Sequence, residues 1–197
     1  MTTSQPRSTP YPLIGLVWLV AVIVLGATGQ IATLRPPAPQ LVLVGLTVAL
    51  LLAGTLLPGF RIWLAGINLR QLVALHITRF VGIYFLILYG RGELPFEFAV
   101  PGGWGDIVIA TGALGLVLLV PDLTARRSWL FTWNLLGLAD ILFVVGTAAR
   151  LGFTQPESLA ALLQLPLCIV PLFLVPIIIS SHVLLFTRLR RERLEQK

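Results

Sequence analysis

Two histidines (His76, His182), an arginine (Arg79) and two aspartates (Asp106, Asp140) stand within or at the edge of strongly apolar stretches of this chain, with Asn134 and Gln30 as neutral polar neighbours. Ionisable side chains at membrane depth are costly, turn toward a protein interior, and mark ligand sites, ion paths or proton relays. Several chemistries are open to this set. Two imidazoles on different helices at one depth could ligate a haem b iron through both axial positions. Gly82 and Gly137 would then admit the porphyrin, and Arg79 would meet a propionate. The plainer alternative is that each imidazole satisfies a hydrogen bond inside a bundle. Arg79 and Asp140 could form a buried ion pair joined by Asn134, which would bind a polar substrate, relay protons, or simply fix helix register.

Asp106 follows Pro101-Gly102-Gly103-Trp104-Gly105 and opens an apolar run. A carboxylate in a first helical turn complements the helix dipole, so capping is the default there and ligand coordination by the Gly-rich turn the alternative. The turn lacks the lysine and strand of a phosphate loop. Ser180 and Ser181 precede His182, but serines in transmembrane helices mostly bond back to their own backbone, and no paired acid marks them as nucleophiles. No HExxH, GxSxG, kinase or Rossmann pattern occurs. The single cysteine, Cys168, excludes an internal disulfide or zinc cluster. The candidate ligand-binding residues are therefore Arg79, Asp106, Asn134, Asp140 and His182, with His76 and His182 as metal ligands only in a haem protein.

Six apolar runs must position these groups: about 13–34, 41–58, 71–90, 106–121, 129–149 and 166–187. A bilayer core of about 30 Å needs roughly 20 residues at about 1.5 Å each. The expected fold is all-α, one integral membrane bundle of six transmembrane helices over residues 1–197. With 57% hydrophobic and 11% charged residues and a mean hydropathy of +0.94, the chain has less than half the charge of a soluble domain, about 25%. The net charge of +6 sits at helix ends rather than on a basic stripe interleaved with aromatics, which points to topology and anionic lipid headgroups, not nucleic acid.

With both termini cytoplasmic, Arg7, Arg61, Arg70, Arg126, Arg127, Arg188, Arg190, Arg191, Arg193 and Lys197 lie inside, against Arg35, Arg91 and Arg150 outside. That bias sets the orientation. The first run has Ala27-Thr28-Gly29 as a loose cleavage-site likeness, but its length favours a retained span. Gly90–Gly105 reads as an outer loop in the headgroups or dipping into the bundle, Phe60–Asn68 as a short interfacial segment, and Ser158–Gln164 as a short outer helix. Pro171 and Pro176 free the carbonyls of Leu167 and Leu172; a kinked, packed helix is the simpler reading and a cavity-lining break the sharper one. Gly45, Ala49 and Ala53 form a small-residue ridge for close helix contact.

Counting rise from the basic helix ends puts His76 and His182 both about 9 Å deep, Arg79 about 14 Å and Asp140 about 20 Å, with Asn134 near the histidine level and Asp106 near the outer face. His76 and Arg79, three apart, share a face.

The motifs His76-x-x-Arg79-x-x-Gly82, Gly92-x-Leu94-Pro95-x-x-Phe98-Ala99-x-Pro101-Gly102-x-x-Gly105-Asp106, Trp133-Asn134-x-x-Gly137-x-x-Asp140, and Pro171-x-x-x-x-Pro176 followed by His182 are similar to those of a group of small bacterial polytopic membrane proteins without assigned activity. The resemblance spans about residues 70–187. It implies a multi-pass protein of the bacterial inner membrane and supplies no substrate or cofactor. In that group the position of His76 is often Gln, which weighs against a shared bis-histidine haem. The leading reading is a non-enzymatic inner-membrane protein whose polar cluster binds or transports a small ligand or holds the fold. A haem b electron-transfer subunit is the alternative, and an enzyme acting on a lipid or quinone comes third. Homo- or hetero-oligomerisation is left open.

Overall fold

Prolines and one capping box punctuate the helix starts, as expected where a missing N–H falls among donors that have no intrahelical partner. In the computed structural model, which describes residues 10–194 with side chains to residue 190, α1 (Tyr11–Ala27) opens with Pro12, α2 (Ala38–Leu56) with Pro39, and α3 (Pro58–Gly66) with Pro58. The start of α4 (Leu69–Leu75) is a capping box: Asn68 Oδ1 accepts from the Gln71 N–H at 2.7 Å, and Gln71 Oε1 accepts from the Asn68 N–H at 3.1 Å. A 3-10 turn, His76–Phe80, joins α4 to α5 (Val81–Gly90), so that Leu69–Gly90 forms one span. Then follow α6 (Phe96–Leu119), α7 (Arg127–Thr154), a 3-10 helix over Pro156–Leu163, a π-helical turn over Val170–Leu174, and α8 (Val175–Leu194). No strand occurs among the described residues.

Five helices are long and apolar enough to cross a membrane: Ala38–Leu56, Leu69–Gly90, Phe96–Leu119, Arg127–Thr154 and Val170–Arg190. The sixth expected span is shorter: α1 has 17 residues, about 26 Å at the helical rise, and the chain then turns at Gly29 (φ +75°) into a 3-10 turn over Ile31–Thr33. The expected interfacial segment after the second run is α3, none of whose residues is buried, with Phe60 and Trp63 against Tyr11. The expected short outer helix is the 3-10 helix Pro156–Leu163.

One expectation fails in part. Of Gly90–Gly105 only residues 91–95 form a loop, and the fourth span does not begin at Asp106. Helix α6 starts at Phe96 and runs through Pro101 and three glycines. Intrinsic propensity loses to packing here. Ala99, Gly102, Gly103, Asp106, Ile109, Ala110 and Ala113 form a buried stripe at helical spacing, and most are small enough to let neighbouring helices come close. Asp106 is therefore a mid-helix residue, not a first-turn cap at the outer face.

The core is built from the span Leu69–Gly90, α6, α7 and α8, with α6 packed against the span Leu69–Gly90 and α7, and α8 against α7 and α4. Two apolar clusters fill its ends. One gathers Val73, Ile109, Leu130, Trp133 and Leu185; the other gathers Phe85, Phe98, Ala99, Val144 and Leu151. A layer of polar side chains lies between them. Helices α1 and α2 are peripheral: Val22 and Thr47 are their only buried residues, and Leu13, Val17, Leu41 and Leu52 are open.

Basic residues at one end cap neighbouring helices. Arg188 donates to the carbonyls of Ile67 (2.6 Å) and Leu64, at the end of α3; Arg70 donates to those of Val120 (2.7 Å), Pro121 (2.9 Å) and Val117, at the end of α6; and Arg127 donates to Leu189 at 3.0 Å. Arg188 and Arg70 satisfy C-terminal carbonyls and meet the negative end of a helix dipole, whereas Arg127 meets a carbonyl one turn inside α8. Of the basic residues counted for orientation, Arg7 and Lys197 lie outside the described residues, as do the side chains of Arg191 and Arg193.

Candidate functional site: a sealed polar layer

A close backbone crossing sets the layer. A Cβ on Gly82 would strike the carbonyl oxygen of Gly103, and one on Gly103 would lie 2.8 Å from the carbonyl oxygen of Gly82. Helices α5 and α6 run antiparallel, so the residues three positions away on the same side, Arg79 and Asp106, come face to face. Arg79 Nε donates to Asp106 Oδ1 at 2.6 Å, Nη1 donates to the Gly137 carbonyl at 2.9 Å, and Nη2 donates to Asp140 Oδ2. All three guanidinium nitrogens are engaged, and Arg79 is 1% exposed. Gly105 makes room for the Asp140 carboxylate, which a Cβ there would overlap. The expected Arg79–Asp140 pair thus forms, but Asp106 completes it.

The histidines sit beside this ion triad. His182 Nδ1 lies 2.8 Å from Asn134 Oδ1, and Asn134 Nδ2 donates to the His182 carbonyl at 3.1 Å. That second bond fixes which end of the amide is oxygen, so Nδ1 of His182 carries the proton. The Ser181 hydroxyl donates to the Ile178 carbonyl at 2.8 Å and lies 3.0 Å from His76 Nε2. With its one proton committed, Ser181 accepts from His76, whose Nε2 carries the proton. The opposite nitrogens, His76 Nδ1 and His182 Nε2, are buried and have no hydrogen-bond partner. The two rings touch, with centroids 4.3 Å apart and planes at 45°, and both residues are fully buried. Gly137 admits His182: a Cβ there would lie 2.6 Å from its Cε1. Trp133 closes the layer edge-on to His76 at 5.0 Å, its indole N–H donating to the Ile109 carbonyl at 3.0 Å.

Every predicted site residue therefore lies in one layer. Matching histidine depths translate into ring contact, and in this arrangement the two imidazoles do not bracket a haem. Axial ligation of one iron by both imidazoles places the macrocycle between the rings, and rings in contact leave it no room. Ser181, Trp133 and Gly105 were not among the predicted site residues. Gly105 in particular was legible only as part of a turn, although the pairing of Arg79-x-x-Gly82 with Gly103-x-x-Asp106 is a signal for a close antiparallel crossing.

Formal charge says what this layer can do. With both carboxyl groups ionised, one guanidinium against two carboxylates leaves one negative charge over in a site walled by apolar clusters. Uncompensated charge is expensive in such surroundings. One additional proton balances it, and the layer offers the proton two kinds of seat: a carboxylate, or an unpartnered imidazole nitrogen.

Residues 36–190 match the family model described as Domain of unknown function (DUF8737). The chain belongs to this family. The match takes in α2 through most of α8, and so the whole polar layer, and it leaves out α1. The sequence resemblance likewise pointed to a group without assigned activity. No curated protein and no solved structure matches the chain.

Proposed function

We propose that this chain is a six-span protein of the bacterial inner membrane, with both termini cytoplasmic, whose polar layer takes up and releases one proton to couple small-ligand binding or transport to the proton gradient. One observation supports the reading above the others. Two touching, fully buried imidazoles each keep a nitrogen without a partner beside an ion triad of one guanidinium and two carboxyl groups. A proton placed on either nitrogen offsets a carboxylate charge, and the touching ring then resists a second proton. Asp140 is the more exposed member, its side chain 18% exposed against 5% for Asp106, and in this reading it is the entry point for that proton. Arg79 holds the triad together and is already saturated, which makes it a positioning residue. In this reading the protein is not an enzyme. Exposed cationic residues such as Arg61 and Arg126 face anionic headgroups at the cytoplasmic side.

Proteoliposomes with a potassium diffusion potential and an internal pH dye test the reading. Proton flux above that of empty vesicles is expected, falling to background in Asp140→Asn and His182→Gln. Flux indistinguishable from empty vesicles in the wild type, both without and with a panel of small polar solutes on one side, would overturn it. It would favour the competing reading, supported by the saturation of Arg79, that the layer only fixes helix register.

A further inference from the structure

A second site lies away from the polar layer, where the chain entering α2, the end of α7, the 3-10 helix Pro156–Leu163 and the π-helical turn meet. A cleft of about 530 Å³ opens there. This is within the range of about 300–1,000 Å³ for small-molecule sites. Its walls are aliphatic, from residues such as Leu43, Val145, Ala148 and Leu163, and its floor is Pro171 and Leu172 of the π turn. Such turns are often found at functional sites.

Two opposite charges stand at the cleft, Arg35 and Glu157, both exposed. No hydrogen bond or ion pair of either side chain occurs among the described residues. Gln40 reaches across to Gly152, where a Cβ would collide with its amide nitrogen. Its Oε1 is buried in the cleft wall without a hydrogen-bond partner. The cleft thus presents one cation and one anion above an apolar trough.

We infer that this cleft seats a zwitterionic aminophospholipid. Arg35 binds its phosphate, Glu157 receives its ammonium, and the upper part of an acyl chain lies along the trough. Charge complementarity selects this occupant. An anionic lipid would meet Arg35 but be repelled by Glu157, and a diacylglycerol would leave both charges unanswered. A soluble headgroup would leave the trough empty.

Native mass spectrometry of the full chain in mild detergent tests this, with phosphatidylethanolamine, phosphatidylglycerol and diacylglycerol of identical chains added singly, and with glycerophosphoethanolamine as the chainless competitor. The wild type is expected to bind phosphatidylethanolamine first, with little competition from the chainless compound. Glu157→Gln should cut its preference over phosphatidylglycerol by about two- to fivefold, the range of one exposed charge contact. Arg35→Gln should weaken both phospholipids, with Arg35→Lys retaining most of the binding. Ala148→Phe should fill the trough and abolish all lipid binding there, and an unchanged melting temperature would show that the variant is folded. If Ala148→Phe melts early, Val145→Phe replaces it. Equal affinity for the two phospholipids that Glu157→Gln leaves unchanged would overturn the proposal. So would full competition by glycerophosphoethanolamine, or wild-type binding in folded cleft-filling variants.

Discussion

Removing the guanidinium of Arg79 should be the most damaging polar-to-small substitution in this protein, and its size can be worked out. Arg79→Ala strands two carboxylates whose side chains are 5% and 18% exposed. Breaking a buried pair by deleting one partner costs about 3–5 kcal/mol. Loss of two charge-assisted hydrogen bonds at about 1.5–3 kcal/mol each gives the same range. Asp106→Asn is milder, about 1–2 kcal/mol, because its amide oxygen still accepts from Nε and Arg79 keeps Asp140. In the double variant Asp106 no longer brings a stranded charge, so part of the Arg79→Ala loss returns. The expected coupling is about 2 kcal/mol, well above the average of about 0.6 kcal/mol for a side-chain hydrogen bond between transmembrane helices. Reversible unfolding in mixed detergent micelles, followed by tryptophan fluorescence, measures all four corners of the cycle. The Arg79–Asp140 cycle should give a smaller coupling, since its carboxylate is the more exposed. Additivity within about 0.5 kcal/mol for Arg79 and Asp106 would refute the triad as the element holding α4–α5 to α6.

Gly82→Ala should destabilise by about 1–3 kcal/mol, since its Cβ meets the Gly103 carbonyl, a backbone atom that cannot swing aside. Gly115→Ala, with nothing within 4 Å of the new Cβ, should stay within about 0.5 kcal/mol of wild type in the same unfolding assay. Asn134→Leu should cost about 1–3 kcal/mol by leaving His182 Nδ1 without its acceptor. A wild-type midpoint would show that the amide does not hold the ring. Arg188→Gln should release the end of α3, seen as faster amide hydrogen exchange at Ile67 and nearby residues, with little change in the exchange of α6.

The class of fold was legible because repeated apolar runs of about 20 residues match the thickness of a bilayer core and exceed what a small soluble domain can bury. The layer was partly legible because helical rise alone brought His76 and His182 to one depth. Asp106 was misplaced for a physical reason. Pro101 and three glycines are turn-formers when read along the chain, and only the packing partners of Gly102 and Gly103, namely Val144 and the Gly82 backbone, turn them into a helix–helix contact. The stripe Ala99, Gly102, Gly103, Asp106 carries that information as a spacing of three and four. The capping roles of Arg70 and Arg188 and the contact of Arg127 were not legible, since their acceptors are backbone carbonyls on other helices. The cleft with Arg35, Gln40 and Glu157 joins segments far apart in sequence that no local pattern links.

The chain has only two histidines, so imidazole ¹⁵N magnetic resonance of histidine-labelled protein in lipid bilayers examines the proposed proton site directly. At neutral pH, His76 should be the Nε2–H tautomer and His182 the Nδ1–H tautomer, each with its other nitrogen unprotonated, and His76→Gln assigns the signals. Acidification should then bring a single proton to the pair, altering both rings together. Reversed tautomers, or two rings that titrate independently, would contradict the account.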